Sequence, residues 1–204
     1  MSKLQRSVRH SQGVFEIRED RQYRVLNSPV RQEVVDVMES MGPCTIASVA
    51  ERLGRRPDTL YFHFRALEAS GLVRRIGEEG SGREKAVVYD LPGRALRLSY
   101  AGSTVQRSKR VGPVADSVLR LARRDVKRAL GRGDVVVEGP AREVWVARSR
   151  GWLTRAEVAR VNGLLGRATE MVRRGRERKG AHAMSVVFAL TPAGNGREKR
   201  SKRD

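Results

Sequence analysis

A chain of 204 residues has room for one medium domain or two small ones, and 39% hydrophobic residues suffice for real cores but not for long unstructured tails as well. Its 42 Lys and Arg against 23 Asp and Glu leave a net charge of +19, a field that favours a polyanionic partner: DNA, RNA or an acidic surface. No apolar stretch approaches the roughly 20 residues of a membrane span, no apolar signal segment follows Met1, and a lone Cys44 excludes an internal disulfide and a thiolate metal cluster. A cytoplasmic protein with no membrane partner is expected. His10, His63 and His182 are too scattered to suggest a metal site, so neither metal nor cofactor is expected.

Residues 1–22 read as a basic N-terminal arm, in which Val14-Phe15-Glu16-Ile17 alternates like a strand. A compact domain follows over residues 23–92. Ser28-Pro29 starts a helix, with Ser able to cap and Pro tolerated at the first position. Val30, Val34, Met38 and Met41 mark its inner face, and Gly42-Pro43 ends it. Thr45 caps a short second helix through Leu53, with Val49, Ala50 and Leu53 inward, and Gly54 turns the chain. A third helix is predicted from Pro57 or Asp58 to Ala69. Leu60, Phe64 and Leu67 stand at i, i+4 and i+7 and face the core, which leaves Thr59, Tyr61, Phe62 and Arg65 outside or at the rim.

After Gly71 the strand Leu72–Ile76, the glycine-rich loop 77–85 and the strand Ala86–Tyr89 form a hairpin, and a hairpin after a helix-turn-helix is a wing. The runs Pro43–Gly54 and Thr59–Val73, with their Leu53-Gly54 helix end and their Leu67-x-x-x-Gly71-Leu72-Val73 exit, resemble the bacterial ArsR-type winged-helix domain. The likeness covers about a third of the chain. It implies that Thr59, Tyr61, Phe62 and Arg65 face a DNA groove, and His63 matches the family's histidine before the core position. The paired cysteines of the metal-sensing members are missing, which argues against metal sensing by that route.

Residues 93–112 read as a linker, with a short helix near Arg94–Tyr100. Residues 113–192 read as a small α+β domain for dimerisation or for holding an effector. In it Pro113 opens a helix with the stripe Val114, Val118, Leu121, Ala122, Val126 and Ala129, and Val135–Val137 and Glu143–Arg148 are strands. Thr154-Arg155-Ala156-Glu157 is a capping box for a further helix, and Met184–Leu190 is a last strand. Residues 193–204 read as a basic disordered tail. Nothing in the chain groups as a catalytic constellation or a phosphate-binding glycine loop, so an enzyme is not expected.

The fold class expected is therefore α+β: an N-terminal winged helix-turn-helix domain with a small C-terminal α+β domain. The function expected is sequence-specific binding of double-stranded DNA by a homodimeric transcriptional regulator, with a small-molecule effector left open. A sequence-neutral architectural DNA-binding protein is the alternative, followed by an RNA binder. The candidate DNA-binding residues are Arg55, Arg56, Thr59, Tyr61, Phe62 and Arg65 on and before the third helix, and Arg83 and Lys85 on the wing. Phe62 is read either as a groove contact or as a lid on the core, and Arg83 and Lys85 either as phosphate contacts or as solvated loop charges.

Overall fold

The computed structural model describes residues 13–82 and 85–193. Arg83, residues 1–12 and all of the expected tail except Ala193 lie outside the described residues. The chain opens with β1 (Val14–Ile17) and α1 (Asp20–Leu26), and α2 (Pro29–Met41) and β2 (Cys44–Thr45) follow. Next come α3 (Ile46–Arg52), a 3-10 turn (Pro57–Thr59) and α4 (Tyr61–Ala69). Three strands, β3 (Arg74–Glu79), β4 (Ala86–Asp90) and β5 (Ala95–Leu98), precede the long helix α5 (Thr104–Leu130) and then α6 (Arg155–Arg174). The architecture is α+β.

Local chemistry explains most of these boundaries. The Thr45 side chain accepts from the Ser48 amide while Ser48 reaches back to the Thr45 amide, a reciprocal cap that starts α3. Gly54 takes a left-handed φ of 61°, which lets the chain reverse in the few residues between α3 and the 3-10 turn. The third helix is shorter than the sequence suggests: Pro57–Thr59 winds as a 3-10 turn, and regular α geometry begins only at Tyr61. Tight first turns of this kind are common at helix N-termini.

The core is one cluster built by α1 to α4 and the strands. Val34, Val49, Ala50, Leu60, Phe64, Leu67, Leu72 and Val73 are all buried within it. Leu60, Phe64 and Leu67 point inward as their spacing predicts. β4 lies between β2 and β3, all antiparallel, and its Tyr89 ring packs at 5.0 Å from the Phe64 ring. The hairpin thus closes the open side of the three helices. The Cys44 thiol is buried there, and burial pushes it up to about 12, so its thiolate chemistry is shut off at neutral pH.

Several parts of the fold depart from the sequence reading. The expected arm contains β1 at the strand-like run, but in the expected linker the strand β5 stands where a short helix was expected; the two pair in parallel, Val14 beside Ala95 and Ile17 beside Leu98. Gly93 permits this closeness, because a Cβ there would sit 2.7 Å from the Gly13 carbonyl oxygen and 2.9 Å from the Phe15 amide nitrogen. The buried Tyr23 of α1 seals the junction, its hydroxyl lying 2.8 Å from the Ile17 carbonyl and 2.6 Å from that of Ser99. Ile17 O also accepts the Ser99 amide, so removing the hydroxyl leaves mainly Ser99 O without a donor. Tyr23→Phe should therefore cost about 1–2 kcal/mol in urea unfolding.

α5 begins at Thr104, not at Pro113. Ser103 and Gln106 form its capping box, and Pro113 sits inside the helix. The sequence signature of a helix start was present at Ser103, and the proline drew the reading nine residues too late. The expected stripe is otherwise in place: Val114 and Leu121 are buried, and Gln32 of α2 donates to the Val114 carbonyl at 3.3 Å. Beyond α5 the difference is larger. Among the described residues past Leu130, α6 is the only regular element, and Val135–Val137, Glu143–Arg148 and Met184–Leu190 run without a strand ladder. The capping box Thr154–Glu157 starts α6 as read.

α5 and α6 rest on α2 across a band of charge. Glu33 binds Arg55 at 3.0 Å and also Arg124 of α5, and Glu39 binds Arg173 of α6 at 3.3 Å. Asp36 stands between these carboxylates on α2 with its side chain exposed. Desolvation, with Glu39, Glu33 and Asp125 adding repulsion, pushes its carboxyl up to about 7. A carboxyl raised in the folded state binds its proton more tightly there than when unfolded, so stability falls as pH rises from about 4 towards 7. Asp36→Asn should gain stability over the parent at pH 8 and little at pH 4, as read by urea melts at the two pH values.

Candidate nucleic-acid interface

α4 presents two faces. Leu60, Phe64 and Leu67 are at most 1% exposed, whereas Tyr61 is 54% and Phe62 68% exposed. Arg65 and Thr59 stand on the exposed side with them. Phe62 therefore does not close the core. Its ring sits 5.8 Å from the Arg31 guanidinium and edge-on to His63 at 5.7 Å. A helix about 10–12 Å across, carrying an outward row of Thr, Tyr, Phe and Arg, has the width and the donors that a B-DNA major groove accepts.

The cations around this face differ in how they are held. Arg55 lies in the turn before the recognition segment and is tied to Glu33. Arg56 pairs with Asp58 at 3.0 Å, both well exposed. On the hairpin Lys85 pairs with Glu78 at 2.7 Å, an interaction that raises the lysine and lowers the glutamate from their ordinary values. Arg65 makes no ion pair among the described residues. A phosphate would have to displace a carboxylate to reach Arg55, Arg56 or Lys85, whereas Arg65 is ready for a new acceptor. The exposed pairs Arg56–Asp58 and Lys85–Glu78 are weak and screened by salt, so exchange for a phosphate is easy there.

His63 is half-buried, and burial, reinforced by Arg31 and Arg55, lowers it from its ordinary value. Its buried Nδ1 has no hydrogen-bond partner among the described residues. Sequence reasoning missed Arg31, because α2 was read for its inner face alone. The guanidinium donates to the Val25 carbonyl at 3.0 Å and lies beside Phe62, which brings a second element to the edge of the exposed row. Arg75 of β3 was also missed; it pairs with Glu68 of α4 at 2.8 Å and locks the hairpin to the end of that helix.

Known proteins were compared with this arrangement. The helix-turn-helix domain family matches residues 26–76, the segment from the end of α1 into β3. The match covers a quarter of the chain and places a helix-turn-helix domain in its N-terminal part. Among solved structures, disulfide-formed AbfR superposes with a TM-score of 0.32 at 14% identity, over 55% of this chain and 83% of that one. The apo C30AH42A mutant of Lactococcus lactis ZitR gives 0.27 at 15% identity, over 70% and 81%. No curated protein matches. Among the described residues no group of His, Cys, Asp and Glu is placed to hold a metal ion, and no helix is long and apolar enough to cross a membrane.

Proposed function

We propose that this chain is a sequence-specific transcriptional regulator that binds double-stranded DNA as a homodimer. The reading rests on one observation above others: an outward row of Thr59, Tyr61, Phe62 and Arg65 on a helix whose opposite side is locked into the core. Such a helix is rigid enough to read base edges, and the surrounding contacts fix its depth and register. Arg65 is assigned to a base edge, guanine in particular, whose O6 and N7 accept a guanidinium fork. Arg55 and Arg56, with Arg83 and Lys85 on the wing, are assigned to phosphates. The ArsR-like likeness of the sequence fits the same assignment.

One winged helix covers too little DNA for tight specific binding, so two copies on paired half-sites are proposed, with the seam in residues 113–192. The test is selection of genomic fragments by the purified chain, with affinity for the best fragment set against scrambled duplex. A regulator prefers its site by roughly 10³-fold or more. Equal affinity for both duplexes would instead establish the sequence-neutral architectural protein that the +19 charge also suits.

A further inference from the structure

Past Gly131 the described chain builds no interior. Every buried side chain lies at or before Leu121, and no residue of α6 is buried. Yet Trp145 is 72% exposed, Trp152 90%, and Met171 76%. Met184, Val186, Phe188 and Leu190 alternate along a segment that carries no strand ladder, each nearly half exposed. Val146, Leu153 and Leu164 are exposed as well. What fastens α6 to the rest is polar: Arg173 to Glu39, Glu170 to Arg94 at 3.3 Å, and Glu177, just beyond the helix, to Arg52 at 2.8 Å.

The extended segments are already gathered. The Glu143 amide donates to the Val136 carbonyl at 2.7 Å, and its carboxylate accepts the Val136 amide at 3.1 Å and meets His182 Nδ1. Val136 and His182, far apart in the chain, therefore meet at Glu143, and no strand ladder forms there among the described residues.

We propose that a second copy of this chain completes the region, with Met184–Leu190 pairing antiparallel to its counterpart across a two-fold axis. Residues 183–192 contain no Lys, Arg, Asp or Glu in a chain of net charge +19. Identical segments can therefore lie side by side there without opposed like charges, which most of this cationic surface does not allow. The same lack of charge disfavours DNA as the occupant. Pairing about a two-fold is self-complementary and closes. The proposal deepens the homodimer reading above by naming what forms the seam.

Hydrogen exchange of the full-length wild type over a dilution series, alongside light scattering, is the primary test, because it needs no variant. Amides of residues 184–190 should be protected in the dimer and lose at least tenfold of that protection as the dimer dissociates. Phe188→Asp should raise the dimer dissociation constant at least 100-fold while amides of Leu60, Phe64 and Leu67 keep their protection. Free exchange at 184–190 in a dimeric wild type, or a monomer at micromolar concentration, overturns the proposal. So does protection that arises only when duplex DNA is added. Duplex binding measured on the same samples separates the two readings. A dimer with this seam that binds no duplex refutes the regulator alone, and a DNA-bound monomer with free exchange at 184–190 refutes the seam alone.

Discussion

Phe64→Ala should lower the stability of the helix-turn-helix domain by about 3–5 kcal/mol, the largest loss expected of any single substitution in it. Phe64 is 1% exposed, and its ring packs on Tyr89 of β4 while its own helix carries Leu60 and Leu67 beside it. Truncation removes the transfer energy of a buried ring and leaves a cavity between α4 and the hairpin. The aromatic contact, about 0.5–1.5 kcal/mol beyond area burial, is lost with it. Because domains are stable by only about 5–15 kcal/mol, the variant should be partly unfolded near 37 °C. Denaturant melts followed by far-UV circular dichroism measure this. Leu60→Ala and Leu67→Ala should each cost about 2–5 kcal/mol. A melt of Phe64→Ala that overlays the wild type would place the phase of α4 wrongly, and the exposed row of Tyr61, Phe62 and Arg65 would fall with it.

The first domain was legible in the sequence because its signals are local. Leu60, Phe64 and Leu67 repeat at helical spacing, Thr45 and Ser48 cap within one turn, and Gly54 marks the reversal. What sequence reasoning lost were pairings between distant segments. β1 and β5 lie about 80 residues apart and β2 is two residues long, so neither pairing shows in a local window. At Ser103 the cap was present, but Pro113 was taken as a first helical residue, where proline is most at ease. The C-terminal strands failed for a different reason. Their alternation is real, but an alternating segment becomes a strand only beside another edge, and within one chain that edge is missing among the described residues. At the candidate interface the exposed positions on α4 were legible from periodicity. The ion pairs holding Arg55, Arg56 and Lys85 were not, because Glu33 lies 22 residues from Arg55 and the others depend on loop geometry.

Arg65→Ala should weaken binding to a preferred duplex by about 1–3 kcal/mol, roughly 5- to 150-fold, and change binding to scrambled duplex much less. The difference follows from position. Arg65 stands on the exposed side of α4 without an ion-pair partner among the described residues, where a groove-bound helix meets base edges. Lys85→Ala gives the contrast. Its ammonium lies on the hairpin in an exchangeable pair with Glu78, so its loss should weaken both duplexes alike and reduce the salt slope by about 1. Equal weakening of both duplexes by Arg65→Ala would make Arg65 a phosphate clamp and shift base reading to Thr59, Tyr61 or Phe62.

The most direct test of α4 as a groove-reading helix is methylation interference on the best genomic fragment. Methylation at guanine N7 blocks the acceptor that faces the major groove and leaves the phosphates intact. Wild type should be excluded by methylated guanines in two clusters about 10–10.5 base pairs apart, or a multiple of that spacing, and Arg65→Ala should lose sensitivity at one guanine in each cluster. Binding indifferent to N7 methylation throughout a guanine-containing fragment, with no fragment preferred over scrambled duplex, would contradict the account.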